Sequence, residues 1–158
     1  LGLALELLRS DRPGAPRAFG FPDHDLFPTA PDDPFKLLDQ HDWYGDFRHC
    51  ADRWFLWAGY CFFRFDAVRD IPLDFGLDWF AGLDTGGANW EILYRQADRT
   101  QLPQRTIRIE PAIEGVSRSQ AAFEWRGTWL HETGFVDDRS MRSEKRKVLA
   151  DLLRPVLG

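Results

Sequence analysis

Residues 53–65 read Arg-Trp-Phe-Leu-Trp-Ala-Gly-Tyr-Cys-Phe-Phe-Arg-Phe, and the fold turns on this stretch. Trp54, Leu56, Ala58, Tyr60 and Phe62 fall on one parity, and Phe55, Trp57, Cys61 and Phe63 on the other. Successive side chains of a strand point to opposite faces. Both faces of this segment are therefore apolar, the pattern of a strand inside a sheet and covered on both sides. The same run falls well short of the roughly 20 apolar residues that a spanning helix needs.

Further strands follow from the period of two. Leu73, Phe75, Leu77 and Trp79 alternate with Asp74, Gly76 and Asp78, then Trp90, Ile92 and Tyr94 with Glu91, Leu93 and Arg95, and Ile107 and Ile109 with Arg108 and Glu110. Asp84-Thr85-Gly86-Gly87 has turn composition between the first two of these. Residues 119–131 fit a strand with Gly127 in it or a helix, and Thr128 with the aromatics favours the strand. Residues 1–10 carry a Leu3, Leu7, Leu8 stripe and predict a helix. Residues 11–34 hold Pro13, Pro16, Pro22, Pro28, Pro31 and Pro34 and read as a loop packed on or covering the body. Leu37, Leu38, Trp43 and Phe47 predict a helix over 35–52, and Val148, Leu149, Leu152 and Leu153 another over 140–154 that stops at Pro155. The expected fold is α+β: one domain over 1–158, with a central antiparallel sheet of about five strands flanked by N-terminal helices and a C-terminal helix.

The chain has 158 residues and a formal net charge of −5. That charge repels a phosphate backbone, so nucleic acid is not an expected partner. No membrane association is expected either, and residues 1–8, with Glu6 and no basic start, do not read as a secretory signal. Cys50 and Cys61 make no disulfide framework, which suits a reduced, cytoplasmic setting. Arg outnumbers Lys heavily, as in proteins from GC-rich bacterial genomes.

Three clusters carry candidate chemistry. Asp42, Asp46, His49 and Cys50, in the segment that begins at His41, share one face if residues 35–52 are helical, and these are metal-ligand types. An exposed acidic face is the plainer account, and no metal or cofactor is expected. His131 beside Glu132 is an acid–base pair on paper. Asp84-Thr85-Gly86, after Ala81-Gly82-Leu83, resembles the signature of aspartic proteases, the small retropepsin-like enzymes above all. That resemblance implies a catalytic Asp84 and a dimer, because this family pairs two aspartates that share a proton. The chain departs from the family in having Gly87 after the tripeptide, and in Glu114 falling between Ala112-Ile113 and Gly115.

No phosphate-binding glycine loop, Cys-x-x-Cys pair or Gly-x-Ser-x-Gly elbow occurs. Seven Trp and thirteen Phe supply a large aromatic core or a lined cavity. For an apolar small-molecule ligand the candidate lining is Trp57, Tyr60, Trp79, Trp90, Trp125 and Trp129. The expected function is a non-catalytic binding domain that docks a protein partner, as immunity proteins and adaptors do. The alternatives are that apolar-ligand protein and a hydrolase using Asp84 or the 41–50 segment.

Overall fold

The computed structural model describes residues 16–76, 83–103, 106–117, 121–133 and 139–157. In chain order the elements are strand β1 (Ala18–Pro22), β2 (Leu26–Pro28), a 3-10 turn (Lys36–Asp39), β3 (Trp43–Cys50), β4 (Arg53–Arg64) and a short helix α1 (Phe65–Val68). The 3-10 turns Gly87–Asn89, Tyr94–Gln96 and Arg99–Gln101 follow, then β5 (Ile107–Pro111), β6 (Ala122–Arg126), β7 (Trp129–Thr133) and helix α2 (Arg139–Leu157). The chain is mixed helix and strand, and it forms two compact units: Leu1–Asp23 with Pro34–Gln104, and His24–Asp33 with Arg105–Gly158. In place of one central sheet of about five strands there are two antiparallel sheets, ordered β1-β4-β3 and β2-β7-β6-β5. The expected helix at 1–10 lies outside the described residues.

β4 is the central strand of the first unit, as its two apolar faces predict. β1 pairs along one edge from Ala18↔Arg64 to Pro22↔Tyr60, and β3 along the other from Trp43↔Phe63 to Cys50↔Arg53. On one face Phe63 stacks on Phe19 with ring centroids 5.4 Å apart and meets Phe75 at 5.7 Å. On the other, Tyr44 stacks on Phe62 at 5.2 Å and Tyr60 meets Phe62 edge-on at 4.9 Å. Beyond the end of β1, Thr85 continues that edge by accepting the Ala58 N–H at 3.2 Å.

The helix expected over 35–52 is corrected to a 3-10 turn followed by strand β3. Trp43, Tyr44 and Phe47 prefer a pleated surface, and pairing with β4 outweighs their partial helical spacing. Gly45, which weakens a helix, is what the strand requires. A Cβ there would lie 2.4 Å from the Tyr60 carbonyl oxygen and 2.8 Å from Cys61 Cα, beside the register shift between Gly45 and Phe47.

The loop expected over 11–34 contains β1 and β2. Pro22 and Pro28 end these edge strands, where a missing N–H is tolerated. The expected strands at 73–79 and 90–94 are also corrected. Leu73 and Phe75 are buried without strand pairing, Tyr94 begins a 3-10 turn, and residues 77–79 lie outside the described residues. Asn89, fully buried, supplies such pairing at Asp74. Its Oδ1 accepts the Asp74 N–H at 2.7 Å and its Nδ2 donates to the Asp74 carbonyl at 2.7 Å.

In the second unit the expected strand over 119–131 is a hairpin, β6 and β7, turning at Gly127–Thr128. β5 and β2 extend it on either side. Leu149 and Leu153 of α2 pack with Ile113, Phe123 and Leu130. α2 runs on through Pro155 rather than stopping there. The proline gives up the N–H bond to the Asp151 carbonyl, and its ring crowds that carbonyl. Among the described residues no helix is long and apolar enough to cross a membrane.

Leu56 of β4 is 0% exposed. Leu56→Ala should destabilise the protein by about 2–5 kcal/mol, the range for core truncations that leave a cavity. Chemical denaturation followed by Trp fluorescence measures this. A loss under about 0.5 kcal/mol, the scale of surface changes, would contradict the central placement of β4.

Candidate functional site

The two-residue turn at Gly127–Thr128 sets the register of the β6–β7 hairpin and places Glu124 opposite His131. The alternation of strand faces keeps Glu124, Arg126 and His131 on one side of the sheet. His131 Nδ1 lies 3.1 Å from Glu124 Oε2, and its Nε2 lies 3.2 Å from Asp25 Oδ1. Glu124 Oε2 also accepts from the Arg126 guanidinium. Asp25 reaches the cluster from the residue before β2, whose chain is held by the Glu132 N–H donating to the Asp25 carbonyl at 3.0 Å. Arg126 is 0% exposed and His131 8%. Burial lowers the Arg126 pKa to about 10, against the opposing attraction of the Asp25 carboxylate, so the guanidinium keeps its charge at neutral pH.

This cluster corrects the pairing expected for His131. Glu132 is its chain neighbour but lies on the opposite face, where it meets Lys145 Nζ of α2 at 3.4 Å. Lys145 also donates to the Thr133 carbonyl at 2.5 Å. His131 instead pairs across the hairpin with Glu124, a residue the sequence reading missed. The signal was Gly127-Thr128, which as a hairpin turn brings positions 124 and 131 together. Both imidazole nitrogens face carboxylates, whereas a general base needs one nitrogen open to its substrate.

A second feature belongs to the first unit. A groove of about 530 Å³ is lined by Arg17, Ala18, Phe35, Leu38, Asp39, Arg64 and Asp66. Its walls follow from the sheet: Ala18 pairs with Arg64 at one end of β1 and β4, and the Phe65 N–H donates to the Arg17 carbonyl at 2.8 Å. Leu38 is buried at the 3-10 turn, and Phe35 stands 42% exposed with its ring edge-on to Phe62 at 5.5 Å. Arg64 is held by Asp42 Oδ1 at 2.5 Å.

The metal-type residues of the 41–50 segment are not gathered on a helix face, because the segment is a strand. Asp42 is committed to Arg64, Asp46 is buried and His49 is exposed. Partial desolvation of its ring, then the Arg99 cation, lowers the pKa of His49. Neither cysteine is in a disulfide, and burial pushes the Cys61 thiol far above its ordinary range. In the connection between β1 and β2, the successive residues Asp23, His24 and Asp25 bring ligand-type atoms within 4.8 Å of one another. Asp25 there already faces His131.

Asp84 is exposed and acts within its own turn. Its Oδ1 accepts the Thr85 N–H at 2.7 Å, and its carbonyl accepts the Gly87 N–H at 2.9 Å. Gly86 has φ of +93° and sits where a Cβ would lie 2.4 Å from the Leu56 carbonyl oxygen. The tripeptide is therefore a turn docked on β4, not the link between two strands that its flanking pattern predicts.

Each aromatic candidate among the described residues has its own partner. Trp57 is buried beneath the Arg48 guanidinium, Tyr60 packs on Phe62 and Trp90 on Trp54. Trp125 donates to Glu110 at 3.0 Å and Trp129 to Asp32 at 2.7 Å. None of these five lines the groove, and Trp79 lies outside the described residues.

No family model, no curated protein and no solved structure matches this chain.

Glu124→Gln should destabilise the protein by about 3–5 kcal/mol, because it strips the carboxylate from a buried guanidinium, and breaking such a pair from one side costs that much. Urea denaturation at neutral pH checks this. A loss below about 1 kcal/mol would show that Arg126 does not depend on Glu124.

Proposed function

We propose that this chain is a non-catalytic binding domain that docks a protein partner, in the manner of an immunity protein or adaptor, through the groove around Phe35. The observation that carries this reading is the groove's composition. An exposed aromatic ring, Phe35, and a buried leucine, Leu38, line it together with Arg17, Arg64, Asp39 and Asp66. Protein interfaces share that anatomy, with an apolar anchor surrounded by polar residues. A site for an apolar small molecule would be more enclosed and carry few charges, whereas here four of the seven lining side chains are charged. A hydrolase reading gains little support from Asp84, which serves its own turn, or from His131, whose ring nitrogens both face carboxylates.

Photocrosslinking in the source cells tests the proposal. A benzophenone amino acid replaces Phe35 in one variant and the exposed Ile92, away from the groove, in another. The expected result is a discrete protein adduct from position 35, competed away by unlabelled protein but not by its Arg17→Glu variant. Equal adducts from both positions, or no protein adduct at position 35, would contradict it.

A further inference from the structure

We propose that β5 is a self-complementary edge through which two copies of this chain pair, joining their four-stranded sheets into one. β5 lies at the end of the order β2-β7-β6-β5 and, among the described residues, pairs only with β6. Its outward-pointing backbone groups can be identified. The Ala112 N–H donates to the Ala121 carbonyl at 3.0 Å, in register with the β5–β6 pairs. Hydrogen-bonding direction alternates along an antiparallel strand. Arg108 and Glu110 therefore direct their backbone groups to β6, and Ile107 and Ile109 direct theirs away from it. Pro111, with no N–H to offer, falls on an outward position, the place where an edge strand tolerates it.

The side chains select the occupant. An antiparallel partner related by a twofold axis through Ile109 sets Ile109 against its own copy and Ile107 against Pro111. The same register sets Arg108 of each copy against Glu110 of the other, on one face. Arg108 and Glu110 already attract one another within the strand at 2.8 Å and are both largely accessible. They are also held in place for such a partner. The Arg108 guanidinium lies 5.4 Å from the Trp125 ring centroid, and Trp125 Nε1 donates to Glu110 at 3.0 Å. Ile109 is 40% exposed. An unpaired strand edge is a template for pairing with another chain. In this register each cation meets an anion, and opposite charges directly across two strands stabilise their pairing. A strand of unrelated sequence offers no such match, so the second copy is the partner the edge fits. The exchange is reciprocal, as a twofold interface requires.

Sedimentation velocity on the full chain at rising concentration tests the inference. The weight-average mass should climb from 18.3 kDa toward twice that value. Ile109→Pro removes an outward N–H without touching the β5–β6 ladder, and should hold the protein monomeric over the same range. Arg108→Glu turns both cross-copy pairs into like-charge pairs and should weaken association about tenfold or more. The double variant Arg108→Glu with Glu110→Arg should restore association. A wild type that stays monomeric would overturn the inference, and so would a dimer indifferent to the charge reversal. Should Ile109→Pro fail to fold, judged by circular dichroism, the charge series decides alone.

Discussion

The three-stranded sheet is organised by a single demand: β4 needs partners on both edges and cover on both faces. Its residues 61–63 are paired to β1 on one side and β3 on the other, and water reaches almost none of their side chains. A buried N–H or carbonyl left unpaired costs as much as a lost hydrogen bond, so every neighbour is recruited by that need. β1 covers one edge as far as Tyr60, and Thr85 continues it at Ala58. Gly45 lets β3 approach where any side chain would strike the Tyr60 carbonyl. Phe19, Phe75, Tyr44 and Phe62 then fill the faces with rings.

Polar side chains take over where backbone pairing runs out. Asn89 presents one acceptor and one donor to Asp74, reproducing with an amide what a neighbouring strand would supply. Glu124 does comparable work in the four-stranded sheet, serving Arg126 and His131 with one carboxylate oxygen. Buried charge is tolerated only when paired. The hairpin turn at Gly127–Thr128, which fixes the pairing of Glu124 with His131, is thus as much a part of this cluster as the charged residues are.

Legibility in the sequence followed the strength of the local pattern. Residues 53–65 were readable because an apolar run on both parities has few other uses, and α2 because its Val148, Leu149, Leu152, Leu153 stripe is regular. The segment 35–52 misled, since Leu37, Leu38, Trp43 and Phe47 mimic helical spacing while their partner, β4, is distant information. Residues 73–76 and 90–94 alternate as strands do, yet a side chain, Asn89, satisfies the backbone at Asp74, and no period announces that. Asp84-Thr85-Gly86-Gly87 was legible as a turn, though not its docking on β4. His131 stood out by its chemistry, but its partners are set by hairpin register rather than adjacency. The groove around Phe35 was invisible, because its walls come from residues 17–18, 35–39 and 64–66, which only the sheet brings together.

Native-state hydrogen exchange read residue by residue tests the organising role of β4 most directly. Slow exchange marks backbone that opens only with the cooperative unit. The amides of Cys61, Phe62 and Phe63 should be among the slowest of the first unit, opening with the free energy of its global unfolding. The 3-10 turn Lys36–Asp39 should exchange orders of magnitude faster. Equal protection in the two segments, or faster exchange at 61–63, would contradict the account.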